Sequence, residues 1–287
     1  MRPLTTHDGL PLHWRQWTKP GIDPARGTVL IVHGLGEHIG RYEQVAARLN
    51  QWGWHVVGYD QRGHGASGGA RGDVPDELSL MHDLALVIDQ TRGDEVLGRG
   101  PLVMLGHSMG GMVAARFAAG GLLGTAAGSL PDWFRPLDAL VLSSPALDPG
   151  MSAFQKLLLT VALPLLPHLA AGNGLKPSWI SRDAAVVQAY VQDPLVHKHV
   201  TPTLARAIVD GGELVRDQAE AWTLPTLVLW AGSDRCVAPE GSADFVAAAP
   251  PAVVQGHVFP ALYHEIFNEP EKEQVFERLQ AWLDGRF

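Results

Sequence analysis

A serine framed by glycines, Gly106-His107-Ser108-Met109-Gly110, is the segment of this sequence with the sharpest chemical meaning. A serine hydroxyl is a weak nucleophile until a base removes its proton and an acid orients that base. With glycine at 32 of 287 positions, the Gly-x-Ser-x-Gly pattern alone says little. Its setting says more. The apolar run Leu102-Val103-Met104-Leu105 precedes it and the helical stretch Gly111-Met112-Val113-Ala114-Ala115 follows. This is the strand–turn–helix context that a nucleophile elbow requires.

In such a scaffold the acid and the base follow the serine in that order, each in a loop after a strand. Asp234 follows the run Thr226 to Trp230, and His264 follows the run ending at Phe259. The plainer alternatives are a turn residue capping the helix near Pro239, for Asp234, and a solvated loop residue, for His264. Glu265 and Asp244 are weaker acids for the role, one adjoining the histidine and the other lying within a helix. An acyl-transfer site also needs two preorganised N–H donors for the developing oxyanion. Met109, directly after the serine, supplies one. Leu35, in the loop His33-Gly34-Leu35-Gly36 after an early strand, is the best candidate for the other. Asp60, in Asp60-Gln61-Arg62-Gly63-His64-Gly65, precedes the serine and reads as a structural turn residue.

The elements that would position these residues alternate along the chain. Leu10 to Trp17 alternates polar and apolar residues, as an exposed antiparallel edge strand does. Thr28 to His33, Trp54 to Tyr59, Pro101 to Leu105, Ala139 to Leu142, Thr226 to Trp230 and Val253 to Phe259 read as buried strands. Arg41 to Trp52, Glu77 to Gln90, Gly111 to Ala119 and Glu271 to Leu283 read as helices. Strands alternating with helices predict an α/β fold with a mostly parallel sheet covered on both faces. The alternation breaks once, between Ala146 and Arg206, where no strand-like run occurs. The expected organisation is therefore a core of residues 1–145 and 207–287, with a helical cap of residues 146–206 inserted over the sheet's C-terminal edge.

Composition excludes several function classes. The net charge of −8 leaves no basic face for phosphate, so nucleic acid is not an expected partner. Thirteen histidines are many, but none has the close spacing of a metal-ligand set, so no metal is expected. The expected mechanism needs no cofactor. A single cysteine, Cys236, forbids an intrachain disulfide. It stands two residues after Asp234, where a bulky thiol reagent could block the site. Met1 to Gly9 has no apolar leader core, and the longest apolar stretch, Leu157 to Leu166, is about half a membrane span. The cytoplasm is the expected location.

Four segments in this order carry a family resemblance: His33-Gly34-Leu35-Gly36-Glu37-His38, Tyr59 through Ser67, Gly106 through Gly111, and Gly232-Ser233-Asp234-Arg235. Together with Ser181-Arg182-Asp183 and Tyr190 through Leu195, they resemble the monoacylglycerol lipase and lysophospholipase-like branch of the α/β hydrolases. That resemblance implies an eight-stranded, mostly parallel sheet flanked by helices. It also implies a carboxylester hydrolase acting on a single acyl chain, most concretely a monoacylglycerol, with Ser108, Asp234 and His264 as the triad. Glu37 and Arg41 match positions of the family's glycerol pocket. A salt bridge at the start of a helix is the alternative reading of that pair. Phe267 stands where the mammalian members place a second polar contact to glycerol, which widens the expected substrates to lysophospholipids and simple esters. A non-catalytic binding protein on the same scaffold is the alternative of another class. The cap's apolar run, Phe154 to Leu169, is expected to line an acyl-chain channel and to touch a lipid surface transiently.

Overall fold

Branched apolar residues in runs of five or six are too short for helices and carry no polar alternation, so they are stable only as strands buried on both faces. The computed structural model describes residues 3–18 and 25–287 and bears this out for five of the six runs; Val254–Phe259, a strand at the sheet edge, is exposed at Gln255, Gly256 and Val258. Met1 and Arg2, at the head of the stretch read for an apolar leader, lie outside the described residues. In chain order the elements begin with β1 (Leu4–Thr5), β2 (Pro11–Leu12), β3 (Trp14–Trp17), β4 (Thr28–Val32), α1 (Glu43–Gln51), β5 (His55–Tyr59) and α2 (Ser79–Gly93). Next come β6 (Leu102–His107), α3 (Met109–Ala127), β7 (Ala139–Ser143), α4 (Ala153–Leu165), β8 (Ala171–Gly172), α5 (Ala184–Gln192) and β9 (His199–Val200). The chain closes with α6 (Pro202–Asp217), β10 (Thr226–Ala231), α7 (Pro239–Ala248), β11 (Val254–Phe259) and α8 (Lys272–Asp284).

The main sheet runs β11-β10-β7-β6-β4-β5-β3, with every pair parallel except β3 against β5. Among the described residues it has seven strands, not the eight expected. The Leu10 to Trp17 stretch is split at His13. The His13 N–H donates to Ser67 Oγ, and its carbonyl accepts from the Asp60 amide. Pro11 has no N–H, and its carbonyl accepts from Gly68. Only β3 therefore joins the sheet, while β2 pairs with β1 as a separate ribbon.

Alternate side chains of each strand enter opposite cores. Leu30, Val32, Met104, Leu140 and Leu142 pack with α2, α3 and α6 on one face. Val29, Ile31, Val103, Leu105 and Val141 pack with α1 and α8 on the other. Each such side chain contributes about 1.5–3 kcal/mol when fully buried. The strand order reverses direction between the neighbours β4 and β6. In open parallel sheets, the crevice beyond the carboxyl ends at such a point is where ligands bind.

The segment between β7 and β10 contains α4, α5, α6 and two short strands. The sequence offered no strand there, yet β8 and β9 pair antiparallel, Ala171 with Val200 and Gly172 with His199. Two residues per strand are too few for any periodic signature. This segment is tied to the loop after β4: His197 N–H donates to the Gly36 carbonyl at 2.9 Å, and His38 Nε2 lies 2.8 Å from Asp193 Oδ2.

Candidate active site

Ser108 lies where β6 turns into α3, with φ 55° and ψ −122°. A non-glycine residue in such a conformation costs on the order of 1–3 kcal/mol and persists only if its surroundings dictate it. Here they do. The Ser108 N–H donates to the Ser143 carbonyl, and its own carbonyl accepts from Met112 and Ala146. A Cβ on Gly110 would sit 2.2 Å from the Val32 carbonyl oxygen, and one on Gly106 would sit 2.4 Å from the Gly110 oxygen. The flanking glycines are therefore steric requirements of the turn.

The loops after β10 and β11 bring Asp234 and His264 to the same point. Ser108 Oγ and His264 Nε2 are 2.8 Å apart, and His264 Nδ1 and Asp234 Oδ2 are 2.7 Å apart. A carboxylate only accepts, so Nδ1–H donates to Asp234 and the Nε2 lone pair faces the serine hydroxyl. Asp234 Oδ1 also accepts from the amides of Cys236 and Val237, so it braces its own turn while holding the histidine, but it does not cap the helix at Pro239, whose N-cap is Ala238 with no side-chain bond. Burial opposes the charged form of both groups. The Asp234 charge and its hydrogen bond outweigh that effect and raise the His264 pKa; His264 in turn lowers that of Asp234.

The backbone of the loop after β4 lies against the serine. A Cβ on Gly34 would come within 3.1 Å of Ser108 Cβ. His33, fully buried, holds this loop: Nδ1–H donates to the Gly34 carbonyl, and Nε2 accepts from the Gln61 amide. The Gly34 amide is taken by Glu37 Oε1 at 2.6 Å. The amides of Leu35 and Met109 have no protein acceptor among the described residues. Met109 opens α3, so its N–H has no intrahelical partner. Both remain available to an oxyanion.

Glu37 and Arg41 form the salt bridge that was one of their two readings, at 2.7 Å, and a third residue completes it. Arg41 also binds both oxygens of Glu265, Nη1 at 2.7 Å and Nη2 at 2.8 Å. Glu37 further accepts from Tyr42 Oη, and the Arg41 guanidinium stacks over the Tyr190 ring. Burial opposes ionisation of Glu37, but Arg41 and its other neighbours hold its pKa at about 2. Glu265 was set aside in the sequence as a triad acid. Its partner lies 224 positions away, a pairing that no local pattern encodes.

A cavity of about 20 Å³, room for roughly one water, lies between Glu37, Arg41, His107, Glu265, Phe267 and Asn268. The His107 ring packs 4.7 Å from that of His264, and burial with the neighbouring imidazole lowers its pKa to about 4. It is neutral at pH 7. Phe267 packs against Phe276 in the core. Asp60 accepts from the amides of Ile39 and Ala66, as a turn residue does. Cys236 is buried, and burial with the Asp234 and Glu265 charges pushes its thiol pKa well up. Donor atoms of Asp234, Cys236 and His264 lie within 4.8 Å of one another. A metal there would compete with the Asp234–His264 hydrogen bond and with a protonated thiol, so this donor set fits a cation poorly.

The family described as serine aminopeptidase, S33, matches residues 23–271. A monoacylglycerol lipase from Mycolicibacterium smegmatis is 35% identical over 278 residues, covering 96% of this chain and 93% of that protein. The phospholipase YtpA of Bacillus subtilis is 29% identical over 276 residues, covering 93% of this chain and 98% of that protein. The crystal structure of Paleococcus ferrophilus monoacylglycerol lipase superposes with a TM-score of 0.81 at 32% identity, covering 96% of this chain and 99% of that one. With match and fold extending over nearly its whole length, the chain belongs to the serine aminopeptidase S33 family of α/β serine hydrolases, in the monoacylglycerol lipase-like branch.

Proposed function

We infer that this protein hydrolyses single-chain neutral lipid esters, most concretely a monoacylglycerol to fatty acid and glycerol, through an acyl-enzyme on Ser108. The observation that carries this reading is the continuous hydrogen-bonded series Ser108–His264–Asp234 at 2.8 and 2.7 Å. His264 takes the serine proton as Oγ attacks the ester carbonyl. The Leu35 and Met109 amides hold the tetrahedral oxyanion, and His264 returns the proton to the leaving glycerol oxygen. A water then follows the same path in reverse, releasing the fatty acid.

Charge supports a neutral headgroup. Arg41 is the cation of the Glu37–Arg41–Glu265 cluster, and both carboxylates bind it, so it is not free for a phosphate. By the same count neither carboxylate is free to bind a peptide's α-ammonium group, which disfavours aminopeptidase activity despite the family's description. Residues 146–206 act as the cap. On α4, Phe154, Leu157, Leu158, Val161 and Leu165 are between 51% and 71% exposed, an apolar stripe suited to resting on a lipid surface. Among the described residues no helix is long and apolar enough to cross a membrane.

The test is a substrate panel: monoacylglycerols, lysophosphatidylcholines, p-nitrophenyl esters of several chain lengths and an aminoacyl arylamide. Monoacylglycerol should exceed lysophospholipid in kcat/KM, and the arylamide should not react. A marked preference for lysophospholipid, as the phospholipase relative would have it, overturns the headgroup assignment.

A further inference from the structure

Glu269 is a glutamate with 0% exposure that lies outside the catalytic hydrogen-bond series. Both of its oxygens are used. Oε1 accepts from Ser181 Oγ at 2.7 Å and from the Arg182 amide at 2.6 Å. Oε2 accepts from Arg182 Nε at 2.7 Å and from the Tyr263 amide at 2.9 Å. One carboxylate thus joins two residues of the segment between β7 and β10 to the residue directly before His264. The residue directly after His264 is held from the same side, since the Glu265 amide donates to the Ile180 carbonyl at 2.8 Å. The residues on either side of His264 are therefore both anchored through their amides, directly or through Glu269, to residues 180–182.

Few other arrangements would satisfy these groups. A buried carboxylate with four donors is stable only while all four are present, and a buried amide that loses its acceptor costs about 1–3 kcal/mol. Burial opposes the charge on Glu269, but the Arg182 guanidinium and the converging donors hold its pKa below the usual carboxylate range. The clamp is consequently rigid and ionised at neutral pH, and it couples the cap to the loop that bears the base.

We propose that Glu269 is a positioning residue for His264, setting the imidazole against Ser108 by locking the His264 loop to Ser181 and Arg182 of the cap. The proposal rests on His264 being the general base, as argued above. Its consequence is that the cap is not only a cover. Displacement of residues 180–182 moves Tyr263 and Glu265, the residues on either side of His264, so reorientation of the cap changes the distance from Nε2 to Oγ.

The test uses the full chain with p-nitrophenyl butyrate, a soluble ester with too short an acyl chain to depend on the apolar stripe. Glu269→Gln keeps the shape but turns an NH₂ toward one pair of donors. A misplacement of about 1 Å can cost up to a hundredfold in rate, so kcat should fall about tenfold or more with KM little changed. Ser181→Ala, which removes one cap donor, should lower kcat by a smaller factor. The double variant should be no worse than Glu269→Gln alone, because both act through one clamp. The proton NMR signal of His264 Nδ1–H should shift in Glu269→Gln. A merely structural role would lower the melting temperature, leave kcat of the folded protein within twofold and leave that signal in place, and this overturns the proposal. If Glu269→Gln does not fold, unchanged kcat in Ser181→Ala and Arg182→Gln overturns it equally. Wild type and Ser108→Ala are measured alongside. Equal activity in those two sinks the triad itself, whereas an inactive Ser108→Ala beside a fully active Glu269→Gln sinks only the clamp.

Discussion

Arg41 grips Glu265 through both guanidinium nitrogens, at 2.7 and 2.8 Å, and turns the same Nη1 to Glu37 at 2.7 Å. One cation is thereby shared by two buried carboxylates, one bracing the loop after β4 and the other adjoining His264. Arg41 is the largest influence that keeps the buried Glu37 ionised, because an unpaired buried charge is strongly disfavoured.

Arg41→Met should therefore destabilise the protein by about 3–5 kcal/mol, the range for removing one partner of a buried ion pair. Urea denaturation monitored by tryptophan fluorescence measures it. Arg41→Met together with Glu37→Gln and Glu265→Gln should recover much of the loss, since no orphaned charge remains. A single variant within about 1 kcal/mol of wild type would show the cluster to be energetically idle.

The pH dependence has a definite sign. The proposed mechanism needs neutral His264, whose pKa is raised above its ordinary value of about 6.5 because Asp234 outweighs burial. The kcat/KM profile for a soluble ester should thus rise with pH through an apparent pKa above 6.5. Asp234→Asn should move that limb downward and cost about 10⁴-fold in kcat through loss of the correct tautomer. Stability runs the other way. The imidazolium–Asp234 pair stabilises the fold below pH 6.5 and is lost as pH rises through the raised value, so His264→Gln should cost more stability at pH 5.5 than at pH 8.5.

How much of this was legible depends on how far apart the interacting residues lie. Ser108 stood out because its turn imposes a local pattern, small residues on either side and a strand and helix beyond. Asp234 and His264 were located by chain order, and the structure brings His264 within hydrogen-bond distance of both Asp234 and the serine. Runs of branched residues announced five of the parallel strands because burial on both faces demands them; β11, at the sheet edge, is exposed at Gln255, Gly256 and Val258 and carries no such run. Glu265 and Glu269 were not legible as partners of Arg41 and Arg182, since those pairings are created only when distant loops converge. The two-residue strands β8 and β9 were invisible for the opposite reason, being too short to impose a pattern. The split at His13 depends on Ser67 and Asp60, both remote in sequence.

The exposed stripe on α4 leads to a prediction about surfaces. Leu157 and Leu158 are 61% and 57% exposed, so Leu157→Gln with Leu158→Gln should leave the melting temperature nearly unchanged. Binding to neutral lipid vesicles should weaken, and the ratio of micellar to soluble-ester hydrolysis should drop several-fold. Co-sedimentation with vesicles and paired activity assays measure both. An unchanged ratio would remove the stripe from lipid recognition.

The central claim is that Ser108 carries the acyl group of a monoacylglycerol. Free fatty acid released from a medium-chain monoacylglycerol, by wild type and by Ser108→Ala, tests it most directly. Wild type should release fatty acid steadily, and the variant should be slower by at least about a thousandfold. Equal rates in the two proteins, or no release by wild type, would contradict the account.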